Sequence, residues 1–209
     1  NRIYTYWQDG HDHAQSGIYS QSSSSNRATI RGNVIYALRY TNGIYGNHFL
    51  ADSNTIMGID DTLGLYTDIN YRWGFRGTES TTVRDNSFSN MNWGGDCNGN
   101  NSVIKNNDFL NILDYGIDIY SGGNTVVADN NIVLDGSNSF GLRFRSSNIS
   151  NVYNNTIASH HPANRSGTGI RVEDSAHPVL NSNIVYGYNI GIDADSDVYV
   201  LKFNLTNEV

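Results

Sequence analysis

Six side chains in the second half of the chain have the types needed to move a proton on and off carbon. They are Arg143, Arg145 and Arg171 as cations, with Tyr120, His160 and His161 as bases or acids. Abstracting a proton next to a carboxylate requires a positive charge to neutralise that carboxylate and a positioned base. Asp96 and Asp118 offer a different chemistry, because two carboxylates at a suitable separation can serve as general acid and base. Each group also has a plainer use: outward Arg and Asp on neighbouring strands, such as Asp118 with Arg143, form charge pairs, and a His before Pro162 holds a turn. Asp9, His11, Asp12 and His13 have metal-ligand types, but an exposed polar loop has the same composition. Asp193, Asp195 and Asp197 carry calcium-type oxygens, yet strand alternation sends all three to one side, a poor arrangement around a single ion. No metal site and no cofactor is therefore expected, calcium being the one ion the acidic run leaves open.

The elements that must position these groups are repeated. The stretch from Asn107 to Asp135 states one pattern in full: Asn107-Asp108-Phe109, then Gly116-Ile117-Asp118-Ile119-Tyr120, then a β-rich run into Asn130. The same Asn recurs at Asn1, Asn33, Asn54, Asn86, Asn107, Asn130, Asn155, Asn183 and Asn204, in steps of 32, 21, 32, 21, 23, 25, 28 and 21. Between them stand Gly17, Gly43, Gly74, Gly94, Gly116, Gly141, Gly169 and Gly191. After the first repeat, each Gly leads to the next Asn in 11 to 14 residues, so the Asn-to-Gly half absorbs the insertions. Apolar residues alternate at every second position, which predicts strands and not helices. Units of this length bury their apolar side only by stacking on one another, so the chain is predicted to be all-β: a single-stranded right-handed parallel β-helix of about eight coils. The recurring Asn is expected to occupy a left-handed corner and to bond its equivalents above and below in a ladder.

On this motif, roughly N-x-[IVF] followed by G-[ILF]-x-[IVF], the sequence resembles the right-handed parallel β-helix repeat superfamily over nearly all of residues 1 to 209. That superfamily includes pectate and alginate lyases, polygalacturonases, uronan epimerases, phage tailspikes and NosD-like periplasmic proteins. The resemblance implies a fold and carries no active-site motif. Gly95-Asp96-Cys97 is similar to the aspartate–cysteine element of polygalacturonases, but Gly141-Leu142-Arg143 stands where their histidine strand would be. The superfamily also implies a secreted, extracellular or cell-surface location.

Alternation then places one outward row at Tyr19, Tyr45, Arg76, Asp96, Asp118, Arg143, Arg171 and Asp193, and a second at Gln21, Asn47, Thr78, Asn98, Tyr120, Arg145, Glu173 and Asp195. Three long insertions enter just before a Gly-led strand and would bring Trp7, His11, His13, Tyr71, Trp73, His160, His161 and Arg165 to one rim. Aromatic faces pack on sugar rings and Arg forks onto a uronate, so the ribbon suits an extended acidic polysaccharide. Expected contacts to it are Asp96, Asp118, Arg76, Tyr45, Trp73 and Glu173. The expected chemistry is lyase-type β-elimination, with hydrolysis through Asp96 and Asp118 as a second enzymatic option. The alternative is a non-catalytic structural, adhesive or glycan-binding module of a surface protein, filament or phage fibre.

Composition narrows the partners. A formal net charge of -7 excludes the basic face that a nucleic-acid binder needs, and no apolar run approaches the ~20 residues of a membrane span. Cys97 is the only cysteine, so no internal disulfide holds the fold. Starting on a ladder Asn without an initiator Met, the 209 residues are expected to be one domain or a segment of a longer solenoid, processed or excised. Oligomeric state leaves no signature in the sequence.

Overall fold

Each ladder Asn bonds the next at the spacing read from the sequence. In a computed structural model that describes residues 1–5, 15–37, 41–59, 72–120, 123–146, 150–160, 167–195, 200–202 and 204–208, Nδ2 of each donates to Oδ1 of the following one. The distances run from 3.2 Å for Asn1 to Asn33 down to 2.9 Å for Asn183 to Asn204. The backbone N–H of Asn107 also donates to Oδ1 of Asn130, and its Nδ2 reaches the carbonyl of Val83. One amide thus satisfies donors and acceptors that the corner would otherwise bury unpaired. The left-handed residue is not the ladder Asn itself. It is the one before it: Asn106, Asp129 and Asn154 have φ of 54°, 55° and 55°. The preceding residue makes the turn, which frees the ladder Asn to point inward with an extended backbone.

Three parallel faces follow in each coil. The first begins after the ladder Asn and includes Val34–Ala37, Thr55–Gly58, Asn131–Leu134 and Thr156–Ser159. The second holds the Gly-led strands Gln15–Gln21, Thr41–Asn47, Trp73–Gly77, Phe140–Arg145, Thr168–Glu173 and Ile190–Ala194. Two long strands, Ser87–Cys97 and Asp108–Tyr120, run through the corner and join both faces into one sheet. The third, a separate sheet of eight described strands, runs from Ala28–Arg31 to Val200–Lys202. Every named strand pair among the described residues is parallel and, away from shifts at the corner, in register, so like residues stack: Phe88 on Phe109 with centroids 4.8 Å apart, and Ile117 on Leu142 on Ile170. Fully buried Ile and Phe side chains of this kind contribute roughly 1.5–3 kcal/mol each. Among the described residues no helix is long and apolar enough to cross a membrane.

The repeating Gly is demanded by close approach. A Cβ at Gly94 would stand 2.5 Å from Cδ1 of Phe109 and against the carbonyl oxygen of Gly116. Both neighbours are fixed, one in the core and one in the next coil. Gly94→Ala is therefore expected to cost about 1–3 kcal/mol from overpacking; a urea melt that coincides with wild type would refute this account of the Gly row.

Candidate functional site

The second face carries three outward rows, two of them predicted and one not. The unpredicted row stands immediately before the repeating Gly. Register pairs Trp73 with Trp93, Trp93 with Tyr115, and Tyr115 with Phe140. Their rings touch in succession, at 5.6 Å edge-on, 4.6 Å tilted and 5.4 Å stacked. An aromatic residue directly before Gly in four successive coils is the signal in the sequence, and of the four only Trp73 is among the expected glycan contacts.

Next to this strip lies the charged row. Tyr19 and Tyr45 meet in a tilted contact at 5.4 Å, and Arg76 sits over both Tyr45 and Trp73. Nε of Arg76 pairs with Asp96 at 2.9 Å. Asp118 is paired in register with Arg143, but the ion pair expected between them is replaced by another. Arg145, one strand away and two residues further along, folds back so that Nη2 and Nε both donate to the Asp118 carboxylate. Its guanidinium also lies 5.0 Å from the Tyr120 ring centroid. Arg143 turns the other way, donating through Nε and Nη2 to Glu173 Oε2 at 2.9 and 2.8 Å and through Nη1 to the Tyr115 hydroxyl at 3.0 Å. Arg171 completes the chain, bonding Glu173, Asp193 and Asp195.

This surface is less solvated than alternation alone implies. Asp118 points away from the core yet is 0% exposed, and Asp96 is only 7% exposed, because neighbouring guanidinia and rings cover them. Burial pushes the Asp118 carboxyl above its ordinary range against the pull of Arg145. Burial raises Asp96 likewise, with the Asp118 charge adding and Arg76 opposing. Burial raises the Tyr115 phenol too, with Arg143 opposing. Glu173 goes the other way: burial pushes it up, but its bonds from Arg143 and Arg171 outweigh that and hold it low. It serves as a bridge between two arginines.

The remaining predicted residues are dispersed. His160 follows the first-face strand Thr156–Ser159 and its N–H donates to the Leu134 carbonyl at 2.9 Å, which places it at the corner and off the charged row. His161, Trp7, His11, His13, Tyr71 and Arg165 lie outside the described residues, as do Asp9, Asp12 and Asp197. Among the described residues no group of three or more His, Cys, Asp or Glu could hold a metal ion, and Asp193 and Asp195 both bond Arg171.

Sequence reasoning also missed a bulge. Met91 pairs with Ile112 and Trp93 with Tyr115, so Asn92 faces two residues, Leu113 and Asp114. A bulge at this corner re-aims the chain between the first and second faces. Burial raises the Asp114 carboxyl, opposed by hydrogen bonds from Trp93 and Asn92.

Two solved structures share this architecture. Both are of "the periplasmic alginate epimerase AlgG", as D317A and T265N mutants, with TM-scores of 0.70 and 0.66 and sequence identities of 13% and 14%. Each alignment covers 93% of this chain and 47% of the other, so the chain spans about half the length of these proteins. At that identity the likeness is one of fold. No curated protein matches the sequence. Residues 74–204 match the family model described as "Right handed beta helix region", and the chain belongs to that family.

Proposed function

We propose that this chain is a carbohydrate-active protein that binds an extended acidic polysaccharide along the second face and cleaves it by β-elimination beside Arg143. The observation that carries this reading is the aromatic strip Trp73–Trp93–Tyr115–Phe140 running alongside a row of guanidinia, with Tyr115 and Arg143 joined by a 3.0 Å bond. A strip of aromatic rings packs against successive sugars, and guanidinia receive uronate carboxylates. Three of the five Arg143 N–H groups are used by Glu173 and Tyr115, which leaves two for a substrate carboxylate. Neutralising that carboxylate acidifies the C5 proton. A phenolate removes it, the electron pair forms the C4–C5 double bond, the C4–O bond breaks, and the leaving oxygen takes a proton. Arg143 favours the phenolate of Tyr115, while burial holds the phenol above its usual range; turnover should therefore rise as pH climbs above neutrality. Tyr120 on Arg145 is the second phenol, some 16 Å along the strand from Tyr115 by strand rise, and is too far to share one linkage with it. The like fold of an alginate epimerase supports an acidic glycan as the partner class, and a polymer substrate fits a secreted, cell-surface or periplasmic location.

The test is incubation with a panel of uronans, followed by ultraviolet absorbance of the unsaturated product. Arg143→Ala and Tyr115→Phe are each expected to lower the rate by about a hundredfold or more, whereas Tyr120→Phe retains it if Tyr115 is the base. A second reading, a non-catalytic glycan-binding or adhesive module, is favoured by one observation. Arg76, Arg143, Arg145 and Arg171 each already hold a carboxylate of the protein. Uronan binding without any unsaturated product would select that reading, and no binding to any uronan would remove both.

A further inference from the structure

Where the first face turns into the second, an open cleft of 620 Å³ is lined by Arg72, Asn90, Asn92, Asn111, Leu113 and Asp135. None of these belongs to the charged row. Three features make the cleft specific. Asn90 and Asn111 are held at φ of 57° and 55°, and Asn111 Nδ2 donates to Asn90 Oδ1 at 3.2 Å. That bond leaves the Asn90 amide hydrogens and the Asn111 carbonyl oxygen for a ligand. Arg72 is set close over the floor: a Cβ on Gly58 would collide with the Asn90 carbonyl and lie 3.2 Å from Arg72 Nη1. The Arg72 N–H donates to Asn92 Oδ1 at 3.4 Å. Finally, Asp114 at the bulge accepts from both Asn92 and Trp93, so the polar wall of the cleft is continuous with the aromatic strip.

The geometry points to a binding site for a neutral pyranose ring in this corner cleft, seating a side branch of the polymer whose main chain lies on the second face. The inference rests on that placement of the polymer. A sugar hydroxyl both donates and accepts, which matches a wall that mixes amide donors, amide acceptors, a guanidinium and a carboxylate. Leu113 supplies an apolar patch for the ring, and the volume falls within the range of small-ligand sites. The charge balance sets this cleft apart from the ribbon: among the described lining residues Asp135 and Arg72 offset each other, without the row of guanidinia that the second face offers a uronate, so an uncharged ring is the fitting occupant.

The probes are the methyl glycosides of glucose, galactose and mannose, with methyl glucuronoside for contrast. They are titrated by NMR against wild type, Asn111→Asp and Leu113→Trp, each checked by its thermal melt. Aspartate tolerates the left-handed backbone but removes the donor and adds a charge. At least one neutral glycoside is expected to saturate, with affinity about tenfold weaker in Asn111→Asp and lost in Leu113→Trp, and with the glucuronoside weaker than the neutral sugars. Should Leu113→Trp fail to fold, Asn111→Asp decides alone. No saturation by any neutral glycoside, or unchanged affinity in the folded variants, overturns the inference. A uronan oligosaccharide titrated on the same samples separates the two readings: its binding should be unaffected by either substitution. Neutral-sugar binding without uronan binding would remove the second-face reading and leave the cleft site standing.

Discussion

Asn107→Ala is expected to lower the melting temperature by about 10 °C. The Asn107 side chain is buried and makes five hydrogen bonds: to the carbonyls of Val83 and Lys105, to Asn130 Oδ1, and from the backbone and side chain of Asn86. Alanine removes all five and strands the Asn86 N–H inside the corner. At roughly 1 kcal/mol per bond, with a further penalty for the unpaired groups, the loss is about 3–5 kcal/mol. A chain of this size shifts by about 2–4 °C per kcal/mol. Asn131→Ala is the comparison, since Asn131 makes only a 3.4 Å bond to Asp108 on the exposed side and should stay within about 0.5 kcal/mol of wild type. Equal melting temperatures for the two variants would show that the ladder contributes no more than a surface amide.

The second large effect is at Arg145. Arg145→Ala removes the main counter-charge of the Asp118 carboxylate and part of its cover, leaving it beside Asp96 and still against the second-face rings, a change expected to cost up to about 3–5 kcal/mol. Replacing both partners at once, Asp118→Leu with Arg145→Met, should recover most of that loss, because the cost lies in the orphaned charge. The variant should also acquire a characteristic pH dependence. Burial already raises Asp118 in the folded protein, and removing Arg145 takes away the groups that hold it down. A carboxyl whose folded pKa lies above its unfolded value is most favourable below the unfolded value, near 3.9. That stability is lost as pH rises through the raised folded value. The deficit of Arg145→Ala relative to wild type should therefore be largest at neutral pH and shrink toward pH 5 in urea melts. Equal deficits at both pH values would mean that the ion pair is not the cause.

These two sites differ in how far the sequence reveals them. All nine ladder positions were readable despite steps of 21 to 32 residues, because after the first repeat insertions enter between Asn and Gly while the return from Gly to Asn keeps nearly constant length. The outward rows were readable for the same reason, since alternation is a property of the backbone. The partner of Asp118 was not. Register sets Arg143 beside it, but a guanidinium on a long flexible stem reaches diagonally, and Arg145 gains both the carboxylate and the Tyr120 ring by doing so. The aromatic strip was written plainly as Trp93-Gly94, Tyr115-Gly116 and Phe140-Gly141, but only the stack shows the rings in contact.

By itself the sequence determined a parallel β-helix, the register of its ladder and the composition of the two outward rows that follow the repeating Gly, because these depend on backbone periodicity and on Asn and Gly, which few residues can replace. The tertiary structure alone decided that Asp96 and Asp118 are buried, which arginine holds which acid, and that a bulge sets Leu113 and Asp114 opposite Asn92 beside a cleft at the corner. Those outcomes depend on how side chains from different coils cover one another, and no spacing along a single strand encodes that coverage.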